Sequence, residues 1–133
     1  MRTESKEMYL KTIFLLSKKK GNVRNIDIAV ELNISKPSVT GMLKRLVADG
    51  DIIITANDNI VCLTPEGKER AEMIYNRYVT FVELLTLMNI PADKIHDAAC
   101  KLEHGVSDEI FYYMQDWVNN YKKTVNTVFD KER

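Results

Sequence analysis

Apolar residues recur at helical spacing from near the start of the chain. Tyr9, Leu10, Ile13, Phe14 and Leu16 predict a first helix over residues 5–16, closed by Lys18-Lys19-Lys20 and Gly21. Ile28, Ala29 and Leu32 predict a shorter helix, with Asn25 as its cap. After Asn33-Ile34, Ser35 caps a third helix reaching about Asp49, where Pro37 is tolerated in the first turn and Gly50 stops the run. The period then changes. Ile52-Ile53-Ile54-Thr55 and Ile60-Val61-Cys62-Leu63 are β-branched runs separated by Ala56-Asn57-Asp58-Asn59, the chemistry of a hairpin turn. Thr64-Pro65-Glu66 opens a long fourth helix reaching Leu87, and Asn89-Ile90-Pro91 breaks it. A fifth helix is expected from Ala92 to His104. A sixth begins at Ser107, with Ile110, Met114, Trp117, Val118 and Tyr121 on one face and a frayed polar tail beyond Lys122.

Helix, helix, turn, helix and hairpin is the order of a winged helix-turn-helix. The expected fold class is therefore mainly α: a winged module with a short hairpin wing over residues 1–64, then a helical part over residues 65–133. The third helix carries the functional signal. Val39, Met42, Leu43 and Leu46 form its buried stripe, while Lys36, Pro37, Ser38, Thr40, Gly41, Lys44 and Arg45 leave the opposite face short or basic. Such a face suits entry into a major groove about 12 Å wide. Hydroxyls and lysines take phosphate oxygens and Pro37 meets thymine methyl groups; Arg24, with Ser35 at the helix start, adds to the phosphate contacts.

Composition narrows the partners. The net charge is zero, but residues 1–64 hold ten Lys/Arg against seven Asp/Glu, and residues 65–133 nine against twelve. A polyanion would meet the front half. No apolar run is long enough to span a bilayer, the first seven residues lack a signal-peptide core, and two cysteines are too few for a disulfide scaffold, so a cytoplasmic protein with no membrane partner is expected.

The fifth helix offers unusual chemistry. Ile95, Ala99, Leu102 and Val106 make its apolar stripe, and beside it His96, Cys100 and Glu103 recur at i, i+4, i+7, with His104 four residues after Cys100. Imidazole, thiolate, carboxylate and imidazole within about two turns suit first-row divalent metals. Taken singly, Cys100 reads as a small core residue and the histidines as surface polars; four donors in nine residues favour metal.

Several segments carry a resemblance to a known family. Glu7-Met8-Tyr9-Leu10-Lys11-Thr12-Ile13-Phe14, Ser35-Lys36-Pro37-Ser38-Val39-Thr40, Leu63-Thr64-Pro65-Glu66-Gly67, and His96 through His104 with Ser107-Asp108-Glu109 look like the diphtheria toxin repressor family of iron- and manganese-dependent regulators, over roughly residues 3–120. The resemblance implies that Met8, Cys100, Glu103 and His104 ligate the activating metal. Manganese-type members have acidic residues at the positions of Met8, Lys11 and Cys100, so the sulfur donors here point to Fe²⁺, with Mn²⁺ as the alternative. For the family's second, ancillary site, His96 matches one ligand and Glu83 stands for a nearby glutamate, while Arg77 or Tyr78 occupies the place of an expected histidine. The chain ends where longer relatives continue into a small β-barrel domain, and it resembles two-domain members that act as homodimers on palindromic operators through their helical region.

Two other classes compete. A winged-helix regulator governed by an organic ligand would keep the recognition helix but have no use for the donor cluster. An enzyme using Cys100 as nucleophile and His104 as base would need an orienting third group and an oxyanion pocket, neither of which the sequence offers. Cys62 reads as a packed strand residue.

Overall fold

The computed structural model describes residues 4–131, with the side chains of residues 5–125. Six helices and a hairpin follow in the order α1 (Glu4–Lys20), α2 (Asn25–Leu32), α3 (Lys36–Ala48), β1 (Ile52–Ile54), β2 (Val61–Leu63), α4 (Pro65–Leu87), α5 (Ala92–Gly105) and α6 (Asp108–Lys131). The mainly α winged-helix class is thus observed. The helical run of α6 continues to Lys131, so the backbone beyond Lys122 is helical rather than frayed.

The chain divides into two compact units, residues 1–75 and 76–133. The first turns of α4 belong to the core of the first unit. Ala71 and Ile74 are buried there with Leu10, Ile13, Val39 and Leu46. Thr64 caps α4 by accepting the Gly67 N–H at 3.0 Å, and its own hydroxyl donates to the Gly50 carbonyl at 2.6 Å. Arg70 and Lys6 both reach the fully buried carboxylate of Asp51, Lys6 at 3.1 Å. A buried carboxylate requires such partners, and these tie α1, the wing and α4 together.

In the first unit the hairpin pairs Ile52 with Leu63 and Ile54 with Val61 in antiparallel register. Thr55 closes its turn, its N–H donating to the Ile60 carbonyl and its hydroxyl accepting the Ile60 N–H. Val61 donates to the Val23 carbonyl at 2.7 Å, which fastens the wing to the segment before α2. Cys62 is half-buried and carries a free thiol.

The second unit has its own core of Phe81, Leu85, Ile95, Ala99 and Phe111, with Leu102, Val106 and Met114 packed at its edge. Asn89 adopts a left-handed φ of 63° at the break after α4, and Pro91 stands at the N-cap of α5. Along α6 Phe111 and Val118 are buried, whereas Ile110, Trp117 and Tyr121 are exposed. The apolar face expected for α6 is therefore two faces, one buried in the unit and one open. No described helix is long and apolar enough to cross a membrane.

Candidate metal centre and nucleic-acid interface

The recognition helix is set by its caps. Ser35 has extended backbone and accepts the Ser38 N–H at 3.3 Å, while its hydroxyl donates to Ser38 Oγ at 2.9 Å. Val39, Leu43 and Leu46 are buried and Met42 is partly so. Lys36, Pro37, Ser38, Thr40, Gly41, Lys44 and Arg45 are all exposed, so the face expected to meet DNA is open.

Asn25, expected as the cap of α2, is its first helical residue, and Arg24 stands at the cap position. The reason lies two residues on: the Asp27 carboxylate accepts the Arg24 N–H at 2.8 Å and so terminates the helix itself. A hydrogen bond from Lys20 and this backbone N–H hold the Asp27 carboxyl below its ordinary value. Asn25 is thereby released for another task, which sequence reasoning missed. Its Nδ2 donates to Thr40 Oγ1 at 2.7 Å, fixing the middle of the recognition helix and leaving the Thr40 hydroxyl its own proton to donate outward. Arg24 donates through Nε to the Asp58 carbonyl in the wing turn at 3.2 Å, with four further N–H groups remaining.

In the second unit the donors on α5 come as two pairs. Glu103 is 1% exposed, and its Oε1 lies 3.1 Å from His104 Nε2. One turn earlier, Cys100 Sγ lies 3.8 Å from His96 Nε2. Among the described residues no three His, Cys, Asp or Glu side chains converge on one point. Met8 lies in the first unit and is 37% exposed. Glu83 pairs with Lys122 at 3.1 Å.

The Glu103–His104 pair fits a divalent ion. A carboxylate so far removed from water needs cationic compensation. Two donors each about 2.1 Å from one ion and at a right angle are about 3.0 Å apart, close to the separation seen. The thiol of Cys100 on the same helix adds a soft donor.

Arg77 and Tyr78 face different surroundings. Tyr78 is the residue beside His96, its hydroxyl 2.8 Å from His96 Nδ1. Arg77 is turned inward and is 4% exposed. It donates through Nε to the Glu103 carbonyl at 2.9 Å, to the Val106 carbonyl, and to Asp108 at 3.1 Å, with its guanidinium over the Phe111 ring. It thus pins the end of α5 from which Glu103 and His104 project. The signal was available: Arg77 lies on the stripe Ile74, Arg77, Phe81, Leu85, and a charge on a buried stripe must have partners.

A winged helix-turn-helix followed by a helical unit bearing metal donors defines the class. Residues 1–56 match the iron dependent repressor N-terminal DNA binding domain, and residues 64–125 the iron dependent repressor metal binding and dimerisation domain. The chain is 32% identical over 108 residues to the diphtheria toxin repressor of Corynebacterium diphtheriae, covering 80% of this chain and 47% of that protein. It is 32% identical over 107 residues to the HTH-type transcriptional regulator MntR of Bacillus pumilus, covering 80% of this chain and 74% of that one. The structure of the manganese regulator SloR superposes with a TM-score of 0.74 at 32% identity, over 86% of this chain and 53% of that one. The chain belongs to the iron-dependent repressor family, whose members are transcriptional regulators and not enzymes. It spans about half the length of the diphtheria toxin repressors it matches.

Proposed function

We propose that this chain is a metal-dependent transcriptional repressor that binds operator DNA as a homodimer when loaded with a divalent ion, Fe²⁺ in preference to Mn²⁺. The observation that carries the reading is the buried Glu103–His104 pair, with Cys100 one turn before it, in a chain whose other unit exposes a capped recognition helix. The activating ligands are Met8, Cys100, Glu103 and His104. Their two sulfurs favour Fe²⁺ over the harder Mn²⁺. DNA is met by Lys36, Pro37, Ser38, Thr40 and Lys44, by Arg24 from the wing side, and by Ser35 at the helix start. The exposed apolar side of α6, where Trp117 stacks on Tyr121 with centroids 5.3 Å apart, supports the homodimer.

A bound ion would supply the positive charge that the buried Glu103 carboxylate requires. If the metal-loaded protein favours the operator-binding conformation, metal selects that conformation from those the protein samples. His96 and Glu83 would form an ancillary site only if Glu83 left Lys122, so activation runs through one site per subunit.

Anaerobic titration of the metal-free protein with Fe²⁺ and Mn²⁺, reading operator binding at each step, tests this. Activation by Fe²⁺ at lower concentration than Mn²⁺ is expected, with the order reversed when Met8 becomes aspartate and Cys100 glutamate. An unchanged order in that double variant would place selectivity elsewhere. The organic-ligand alternative would show as operator binding indifferent to both metals.

A further inference from the structure

His96 lies outside the activating ligand set, and it stands on α5 beside Cys100, which belongs to that set. The two side chains are four residues apart on α5 and so lie on one face, one turn from each other. Cys100 Sγ and His96 Nε2 are 3.8 Å apart. An ion bound tetrahedrally at about 2.3 Å from sulfur and about 2.0 Å from imidazole nitrogen holds these two atoms about 3.5 Å from each other. The pair therefore stands at chelating distance, within a few tenths of an ångström, before any rotamer changes.

The imidazole is also oriented from behind. Tyr78 Oη is 2.8 Å from His96 Nδ1, and the two rings meet edge to face with centroids 5.6 Å apart. A histidine that ligates through Nε2 carries its proton on Nδ1, where it is normally held by an acceptor outside the coordination shell. Tyr78 Oη occupies that position. His96 is exposed and Cys100 half-buried, so solvent reaches the remaining coordination positions. Glu83, the acid paired with His96 in the ancillary reading, is held by Lys122.

We propose that His96 and Cys100 form a second metal-binding site, for a borderline-soft divalent ion of the Zn²⁺ or Co²⁺ type, with Tyr78 as its positioning residue. On binding, Cys100 gives up its thiol proton to solvent and the thiolate and neutral imidazole ligate, two waters completing the shell. The site shares Cys100 with the activating set but needs none of Met8, Glu103 or His104. A soft ion held there withdraws the thiolate from that set and competes with activation.

The test is anaerobic Co²⁺ titration of the full chain, following the thiolate-to-cobalt charge-transfer absorption, with circular dichroism to confirm folding. Two backgrounds impair the activating set while sparing the new one: His104→Ala, and Met8→Ala at an exposed position. In both, the absorption is expected to persist and to saturate at one Co²⁺ per subunit. Adding His96→Ala to either should weaken binding at least tenfold, and adding Tyr78→Phe should weaken it about tenfold. Loss of the absorption in both backgrounds, or unchanged affinity after His96→Ala, would overturn the site; unchanged affinity after Tyr78→Phe would remove Tyr78 from it. The proposed regulatory function fails by a different result, operator binding by the wild type that ignores metal.

Discussion

Gly67 sets helix propensity against tertiary packing, and the two predict opposite signs. It lies in the first turn of α4, where alanine is intrinsically better than glycine by about 1 kcal/mol. A Cβ at Gly67 would stand 1.9 Å from the Asp51 carbonyl oxygen and 2.8 Å from its carbon. Both are backbone atoms of the segment that joins α3 to the wing, so no side chain can swing aside. Restoring ordinary contact requires a shift of at least about 1.5 Å, and overpacking of this kind costs about 1–3 kcal/mol. The shift also strains two neighbouring bonds, Thr64 N–H to the Asp51 carbonyl at 3.0 Å and the Thr64 hydroxyl to the Gly50 carbonyl at 2.6 Å. Net of the propensity gain, Gly67→Ala should destabilise the first unit by about 2 kcal/mol. Gly41, in the middle of α3, has open space around its own Cβ position, so Gly41→Ala should stabilise by up to about 1 kcal/mol. With a urea dependence of about 2 kcal/mol per M, the unfolding midpoint falls by about 1 M in the first variant and rises by about 0.5 M in the second. A Gly67→Ala midpoint equal to or above that of the wild type would refute the packing argument.

Further outcomes follow from the caps, the charges and the DNA face. Ser35→Ala should cost about 1 kcal/mol by removing the oxygen that accepts the Ser38 N–H, read from the same urea midpoint. Lys6 titrates above its ordinary 10.5: burial alone would lower it, but the hydrogen bonds to Asp49 and Asp51 outweigh that effect. Its contribution to stability is therefore complete below pH 10.5 and lost as pH rises through the raised value. Asp49 titrates below its ordinary 3.8, chiefly through the hydrogen bond from Lys6, so its contribution is present above pH 3.8 and lost as pH falls through the lowered value. Lys6→Met should flatten both limbs of the stability–pH profile; a profile parallel to the wild type would argue against these pairs. Lys44→Ala should weaken binding to all sequences alike and reduce the salt slope by about one unit. Pro37→Ala should instead relax preference at one or two base pairs by roughly 1–3 kcal/mol, and identical effects from both changes would mean that α3 docks differently.

Most of the fold was legible because its signals are local. The i, i+3, i+4 stripe of α3, the Ser35 cap and the β-branched runs of the wing each require only neighbours in sequence, and each appears where expected. What was not legible depends on tertiary choice. Ile110, Trp117 and Tyr121 are as apolar as Phe111 and Val118, and only packing decides which side of α6 is buried. The first turns of α4 join the first unit because Asp51 requires Arg70 and tolerates only glycine at position 67. The metal donors were visible as residue types at helical spacing, but their separation into a buried Glu103–His104 pair and an open His96–Cys100 pair was not. Nor was it legible that Arg77 points into the unit while its neighbour Tyr78 meets His96, because only packing sets adjacent side chains apart.

Linkage between metal and operator tests the central claim most directly. If one ligand set selects the DNA-binding conformation, the factor by which metal tightens operator binding must equal the factor by which operator tightens metal binding. Operator affinity is measured anaerobically with saturating Fe²⁺ and with chelator, and Fe²⁺ affinity with and without saturating operator duplex. The account predicts equal factors of at least about fivefold, within the usual range of allosteric coupling, abolished by His104→Ala and retained by His96→Ala. Operator binding of equal affinity with metal and with chelator would contradict it.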